Sequence, residues 1–203
     1  ILASKFNFKI ILKNFSTSCT ILIFLLIIMR NIEIKAKIHD PELVIPQIKQ
    51  LTNSDCTIIK QHDTFFKVTE GRLKLRKFEN GSGELLYYKR SDTLGPKLCD
   101  YAKTALDADA CVGITNILTV SNGCIGIVEK TRQLYMIGQT RVHVDNVVGL
   151  GNFLELEVVL TDKQDVGTGE EIAQDLMNKL NIKSEDLIAV AYIDLLNNVT
   201  EKL

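Results

Sequence analysis

The 203-residue sequence contains no tryptophan, only 3 prolines and only 12 glycines. With 46% hydrophobic and 24% charged residues beside those shortages, the chain cannot be collagen-like, low-complexity or intrinsically disordered. It also lacks a charge excess: 24 Lys and Arg stand against 25 Asp and Glu, a formal net charge of −1. That balance argues against a nucleic-acid partner, because DNA binders draw affinity from a surplus of basic side chains on phosphates. Paired cysteines are missing too. Cys19, Cys56, Cys99, Cys111 and Cys124 form an odd set with no C-x-x-C spacing, which points to free thiols in a reducing, cytoplasmic compartment. His39, His62 and His143 are scattered, so no zinc-type cluster is legible. The apolar run Ile21–Ile28 is shorter than the roughly 20 residues that a bilayer crossing needs, and no membrane partner is expected.

Residues 1–28 differ in style from the remainder. They carry Lys5, Lys9 and Lys13 and no acid, then a Ser/Thr patch, then the apolar run. We read Met29 as the true start, residues 1–28 as a gene-model extension, and a signal-like segment as the alternative. Without that stretch the formal net charge moves from −1 to −4. Residues 29–203 then form one domain, a size well able to bury a core.

Within that domain, period-2 alternation dominates. In Asn31–Ile38, Ile32, Ile34, Ala36 and Ile38 alternate with Asn31, Glu33, Lys35 and Lys37. Further strands are expected at Cys56–Thr69, Gly71–Phe78, Glu84–Arg90, Ala110–Val120, Cys124–Arg132, Leu134–Val144 and Phe153–Thr161, separated by turns such as Asn80-Gly81-Ser82-Gly83. Asp40-Pro41-Glu42 opens a helix running to about Leu51, and Gly95–Leu106, Thr168–Leu180 and a segment from Ser184 to near Leu196 are expected as helices. The result is an α+β domain built on an antiparallel sheet or barrel.

The polar faces of these strands are unusual. Arg72, Lys74 and Arg76 share one face, as do Lys130 and Arg132, then Arg141, His143 and Asp145, then Glu155 and Glu157. Such faces fit either a solvated exterior with weak cross-strand ion pairs or a sheet closed on itself, charges inward. An inward charged face needs counter-charges, and mixed bases and acids suit a polyphosphate bridged by a divalent metal. Composition leaves both open.

The order of the clusters carries a resemblance. Asn31-Ile32-Glu33-Ile34-Lys35 resembles the E-x-E-x-K signature of the CYTH domain of the triphosphate tunnel metalloenzymes, with Asn31 at the first acidic position. Gly71-Arg72-Leu73-Lys74-Leu75-Arg76, Tyr88-Lys89-Arg90, Lys130-Thr131-Arg132, Arg141-Val142-His143-Val144-Asp145 and Phe153-Leu154-Glu155-Leu156-Glu157 follow in the order of that family. The resemblance implies an eight-stranded antiparallel β tunnel, a closed barrel flanked by helices, holding a triphosphate. It implies that Lys35, Lys74, Arg76, Lys89 and Arg132 are catalytic and grip phosphate oxygens, with Lys130 and Arg141 also on the substrate. Glu33, Asp145, Glu155 and Glu157 would hold Mg²⁺ or Mn²⁺, and Asn31 would supply a neutral oxygen in place of a carboxylate. The implied activity is hydrolysis of a small triphosphate, thiamine triphosphate or inorganic triphosphate, by a monomer or homodimer. A class IV-type adenylyl cyclase and a non-catalytic triphosphate-binding module are the alternatives.

Overall fold

A computed structural model describes residues 28–52 and 54–200. The expectation for residues 1–27 therefore lies outside the described residues. The described residues form eight strands: β1 (Met29–Lys37), β2 (Thr57–Phe66), β3 (Arg72–Phe78), β4 (Gly83–Arg90), β5 (Lys97–Leu106), β6 (Cys124–Ile137), β7 (Thr140–Val147) and β8 (Gly151–Val159). Four α-helices accompany them: α1 (Pro41–Leu51), α2 (Ala108–Asn122), α3 (Val166–Lys179) and α4 (Tyr192–Thr200). The strands are antiparallel and close into a barrel in the order β1-β5-β4-β3-β2-β6-β7-β8, with β1 bonded to both β5 and β8. No described helix is long and apolar enough to cross a membrane.

The barrel is turned inside out relative to an ordinary core. On β1, Ile32, Ile34 and Ala36 point outward, as do Leu154, Leu156 and Val158 on β8, and all are essentially inaccessible. They are buried by α1 and α3, which contribute Ile45, Ile48, Ala173, Leu176 and Met177 to the same apolar cluster. The charged alternate residues consequently face the lumen. Helix starts follow local chemistry: Asp40, Asp107 and Asp165 cap α1, α2 and α3 by accepting backbone N–H bonds from Glu42, Ala110 and Thr168. The start of α4 and the residue before it pack Ala191, Tyr192 and Ile193 on Phe65, Val128 and Phe153. This close approach needs Gly126, which sits at a register shift between β2 and β6 with φ +156°, where an added Cβ would lie 2.8 Å from Ile193 Cδ1.

Two segments exchange the roles expected of them. Gly95–Leu106, expected as a helix, contributes β5, and Ala110–Val120, expected as a strand, lies inside α2. The apolar residues Leu98, Tyr101, Ala102 and Leu106 imitate helical spacing, yet Lys97, Cys99, Tyr101 and Lys103 are the alternation that matters, because neither face of this strand is uniformly apolar. In α2 the β-branched residues suggest a strand, but Asp107 caps its start and Gly123 (φ +83°) ends it. Thr115 and Thr119 satisfy their hydroxyls on the carbonyls of Cys111 and Thr115. The break expected between Cys124–Arg132 and Leu134–Val144 falls instead at Gly138, with β6 running unbroken through Gln133. The last helix begins only at Tyr192, Ser184–Asp186 forming a single 3₁₀ turn.

Candidate functional site

Strand alternation carries the charged side chains into one cavity of about 270 Å³ inside the barrel. Its lining holds eight cationic side chains against five carboxylates, so the lumen favours an anion. The structure brings together Glu33, Lys35, Lys74, Arg76, Lys130, Arg132, Arg141, Glu155 and Glu157, nine of the eleven positions expected from sequence.

Lys89 is a correction. It stands between the inward-facing Tyr88 and Arg90, so its own side chain points outward, where it is 61% exposed and pairs with Glu70 at 2.6 Å. Arg90 takes the inward place, with Nε 3.3 Å from Glu33. Asp145 is a second correction. It is fully buried and does not line the cavity; its carboxylate accepts two hydrogen bonds from Arg132 (2.6 and 2.5 Å) and one from the Tyr192 hydroxyl (3.1 Å). Through these contacts it positions Arg132. Arg72 lies at the rim, bridging Asp92 at 2.8 Å and Asp194 at 2.7 Å, which ties α4 to the barrel.

The cations fall into two groups. Lys74 and Arg76 on β3 share one buried carboxylate, Asp63 on β2, each at 2.8 Å. Burial would raise the Asp63 pKa, but Arg76 and Lys74 outweigh it and hold the group ionised well below the usual carboxylate range. Further round the barrel, Arg132 on β6 also donates to Glu155 at 2.5 Å, and Lys35 on β1 reaches the same carboxylate at 2.8 Å. Lys35 and Lys130 lie over the Tyr192 ring, 4.3 and 4.9 Å from its centroid, so α4 supplies the surface under both ammonium groups. Burial, then the Arg132 charge, brings the Lys130 pKa down to about 7.

A carboxylate-and-imidazole corner completes the site. Ligand atoms of His143, Glu155 and Glu157 lie within 4.8 Å of one another. Glu33 is the direct register partner of Glu157 across β1 and β8. Burial and Arg132 lower the His143 pKa, so its imidazole is neutral, and its buried Nδ1 has no hydrogen-bond partner. Glu155 and Glu157 are both held ionised against burial, Glu155 by Lys35 and Arg132 and, with His143 neutral, Glu157 by Arg141 and Arg132. The buried Asn31 carboxamide oxygen also lines the cavity without a partner. Two ionised carboxylates and a neutral imidazole whose Nδ1 lies 3.6 Å from Glu155 and 3.8 Å from Glu157 are a donor set that fits a divalent cation.

Sequence reasoning missed Asp63, Arg90, Lys97 and Tyr192. Asp63 shares the parity of Gln61 and Phe65 and was visible only as one acid in an otherwise ordinary strand. Lys97 was hidden by the helical reading of β5; it is buried and donates to the carbonyls of Thr93 (2.7 Å) and Ala189 (2.9 Å). Tyr192 comes from a helix whose contact with the lumen no local pattern announces.

Comparisons with known proteins agree with this geometry. A Methanocaldococcus jannaschii protein provisionally named an adenylate cyclase is 27% identical over 179 residues, covering 82% of this chain and 98% of the relative. The structure of the PH1012 protein of Pyrococcus horikoshii is similar with a TM-score of 0.70 at 24% identity, covering 81% of this chain and 98% of the other. A Hippeastrum protein, provisionally named an adenylyl cyclase and described as revealing a dominant triphosphatase activity, has a TM-score of 0.58 at 12% identity, covering 84% and 96%. The family model described as the CYTH domain matches residues 29–192, most of the chain, and with the inward charged barrel already in view the conclusion is that this chain belongs to the CYTH domain family.

Proposed function

We propose that this chain is a metal-dependent hydrolase of a small triphosphate bound inside the barrel. The observation that carries the reading is one cavity whose lining joins an excess of cations to the His143, Glu155 and Glu157 cluster. Lys74 and Arg76 on β3, Lys130 and Arg132 on β6 and Lys35 on β1 would donate to phosphate oxygens, compensating charge before the terminal phosphate leaves. Asp63 and Asp145 keep those cations extended into the lumen by fixing Arg76 and Arg132 in two-pronged contacts. Glu155, Glu157 and His143, with Glu33 beside them, would hold Mn²⁺ or Mg²⁺, which supplies Lewis-acid polarisation of a phosphoryl oxygen and a water activated for attack. Phosphoryl transfer asks little covalent work of the protein, so fixed charge in a cavity is the appropriate machinery. The four cysteines among the described residues are free, in keeping with a reducing compartment such as the cytoplasm.

The test is incubation of the protein with Mn²⁺ or Mg²⁺ and separately with tripolyphosphate, thiamine triphosphate and ATP, followed by phosphorus NMR. Orthophosphate release establishes the hydrolase. Pyrophosphate with cyclic AMP from ATP would replace it by a cyclase, and binding without turnover would replace it by a binding module.

A further inference from the structure

Lys97 is a buried cation outside the phosphate-gripping set. It is 3% exposed, and on β5 it shares the parity of Cys99, Tyr101 and Lys103, which line the cavity, without lining it itself. Its three ammonium hydrogens go to backbone carbonyls: Thr93 at 2.7 Å, Ala189 at 2.9 Å and Ile188 at 3.4 Å. Two of those three carbonyls belong to residues 187–191, the strap by which the chain enters α4. The Ile188 N–H donates to the Lys35 carbonyl on β1 at 2.8 Å. The Ala189 carbonyl accepts from Arg90 at 2.8 Å as well as from Lys97, so one backbone oxygen takes a cation from β4 and another from β5. Cationic donors make the stronger hydrogen bonds, and here two converge on a single peptide group.

Just beyond that peptide the strap delivers Tyr192 to the lumen. The Tyr192 ring centroid lies 4.3 Å from Lys35 Nζ and 4.9 Å from Lys130 Nζ. Its hydroxyl donates to Asp145 at 3.1 Å, the carboxylate that fixes Arg132. We propose that Lys97 is a positioning residue: by clamping the strap it sets Tyr192, and through Tyr192 the spacing of Lys35, Lys130 and Arg132 that a polyphosphate meets. The inference rests on the reading of the lumen as a triphosphate site and adds to it a residue that does not itself line the cavity. When Lys97 is lost, Arg90 on Ala189 and Arg72 on Asp194 still hold the strap and α4, so the helix loosens while the barrel stays folded.

Two measurements on the full chain test this. Hydrogen exchange of the ligand-free protein, read by mass spectrometry, should show α4 amides exchanging at least about ten-fold faster in Lys97→Met, with β1 and β8 unchanged. Isothermal titration with inorganic tripolyphosphate in EDTA should show the same variant binding about ten-fold more weakly. A double-mutant cycle then asks whether the effect passes through Tyr192. Tyr192→Leu should weaken tripolyphosphate by itself, and adding Lys97→Met to it should change the Kd by less than about two-fold. Additive losses would overturn the route through Tyr192. Unchanged α4 exchange in Lys97→Met would overturn the clamp, and faster exchange with an unchanged Kd would reduce Lys97 to a structural lysine. If Lys97→Met does not fold, Lys97→Gln, which keeps two donors without the charge, should shift both readouts the same way; a Gln variant equal to the unaltered protein in both would overturn the proposal. Failure of tripolyphosphate to bind the unaltered protein would overturn the triphosphate reading beneath it, while the exchange data would still decide the clamp.

Discussion

Glu33 and Glu157 face each other directly across β1 and β8, two carboxylates in register on the inner wall of a closed barrel. Like charges so placed repel unless a cation sits near both. Arg90 lies by Glu33 and Arg141 by Glu157, so each acid is partly compensated from its own outer side. In the proposed function a divalent ion in the space toward His143 and Glu155 would relieve the remainder. Glu157→Gln should weaken Mn²⁺ binding by at least about ten-fold, measured by electron paramagnetic resonance titration. An unaltered metal titration would remove Glu157 from the site. The neutral imidazole of His143 also leads us to expect tighter binding of Mn²⁺ than of Mg²⁺.

The Asp63 pairing makes Arg76 structural as well as functional. Arg76→Ala should abolish turnover and also cost about 3 kcal/mol of stability, because it strands a buried carboxylate with only Lys74. The double variant Asp63→Asn/Arg76→Gln should recover most of the stability and none of the activity. Urea denaturation alongside turnover separates the two roles; a single variant as stable as the unaltered protein would contradict the pairing.

Lys130 gives a pH signature. Its folded pKa of about 7 lies below the ordinary 10.5, through burial first and Arg132 second, and that of Lys97 falls to about 8 through burial and Arg90. The unfolded chain therefore binds more protons than the folded one above about pH 7, and stability contributed by these lysines rises with pH. The lysine window runs up to the ordinary 10.5, partly offset above about pH 9 by the buried Cys99 thiol, pushed up to about 12, which acts in the opposite sense. The urea midpoint should increase from pH 7 to pH 8, and less so in Lys130→Met. Bound triphosphate would restore the Lys130 proton, so calorimetry at pH 8 should register proton uptake that vanishes in the same variant.

Neighbours on β4 supply a contrast free of assumptions about substrate. Lys89→Ala should leave kcat/KM and Tm unchanged, since that side chain is in solvent with Glu70. Arg90→Ala should lose both, because it removes a buried partner of Glu33 and the hydrogen bond to the Ala189 carbonyl (2.8 Å) that secures the approach to α4. The opposite ranking would mean that β4 is threaded with the other parity.

Much of this was legible in the sequence because a strand of period two declares its faces. Ile32-Glu33-Ile34-Lys35 states both the aliphatic exterior and the charged lumen in four residues, and β3, β7 and β8 repeat the statement. Lys89 and Arg90 could not be separated in the same way, since adjacent bases in a short strand do not say which one faces in. Asp145 was recognisable as part of the charged cluster, but its service to Arg132 and Tyr192 depends on three elements meeting, and α4 lies 47 residues further along the chain. The exchange between β5 and α2 has a similar cause. A strand with a polar inner face and a partly covered outer face loses clean alternation, and a helix rich in Val, Ile and Thr mimics one that has it.

The barrel is sealed by its first strand, whose two edges are taken by β5 and β8. The β1–β8 ladder joins residues such as Lys35 and Glu155 that lie 120 positions apart. During synthesis β1 consequently waits with a bare hydrogen-bonding edge until almost the whole domain has emerged, and the anion trough does not exist before that final zippering. Such a chain folds late and slowly for its size, dominated by distant pairings. A polyanion already in solution would then act as a template, drawing the cationic strands together and shortening the interval in which the open edge can pair with another molecule.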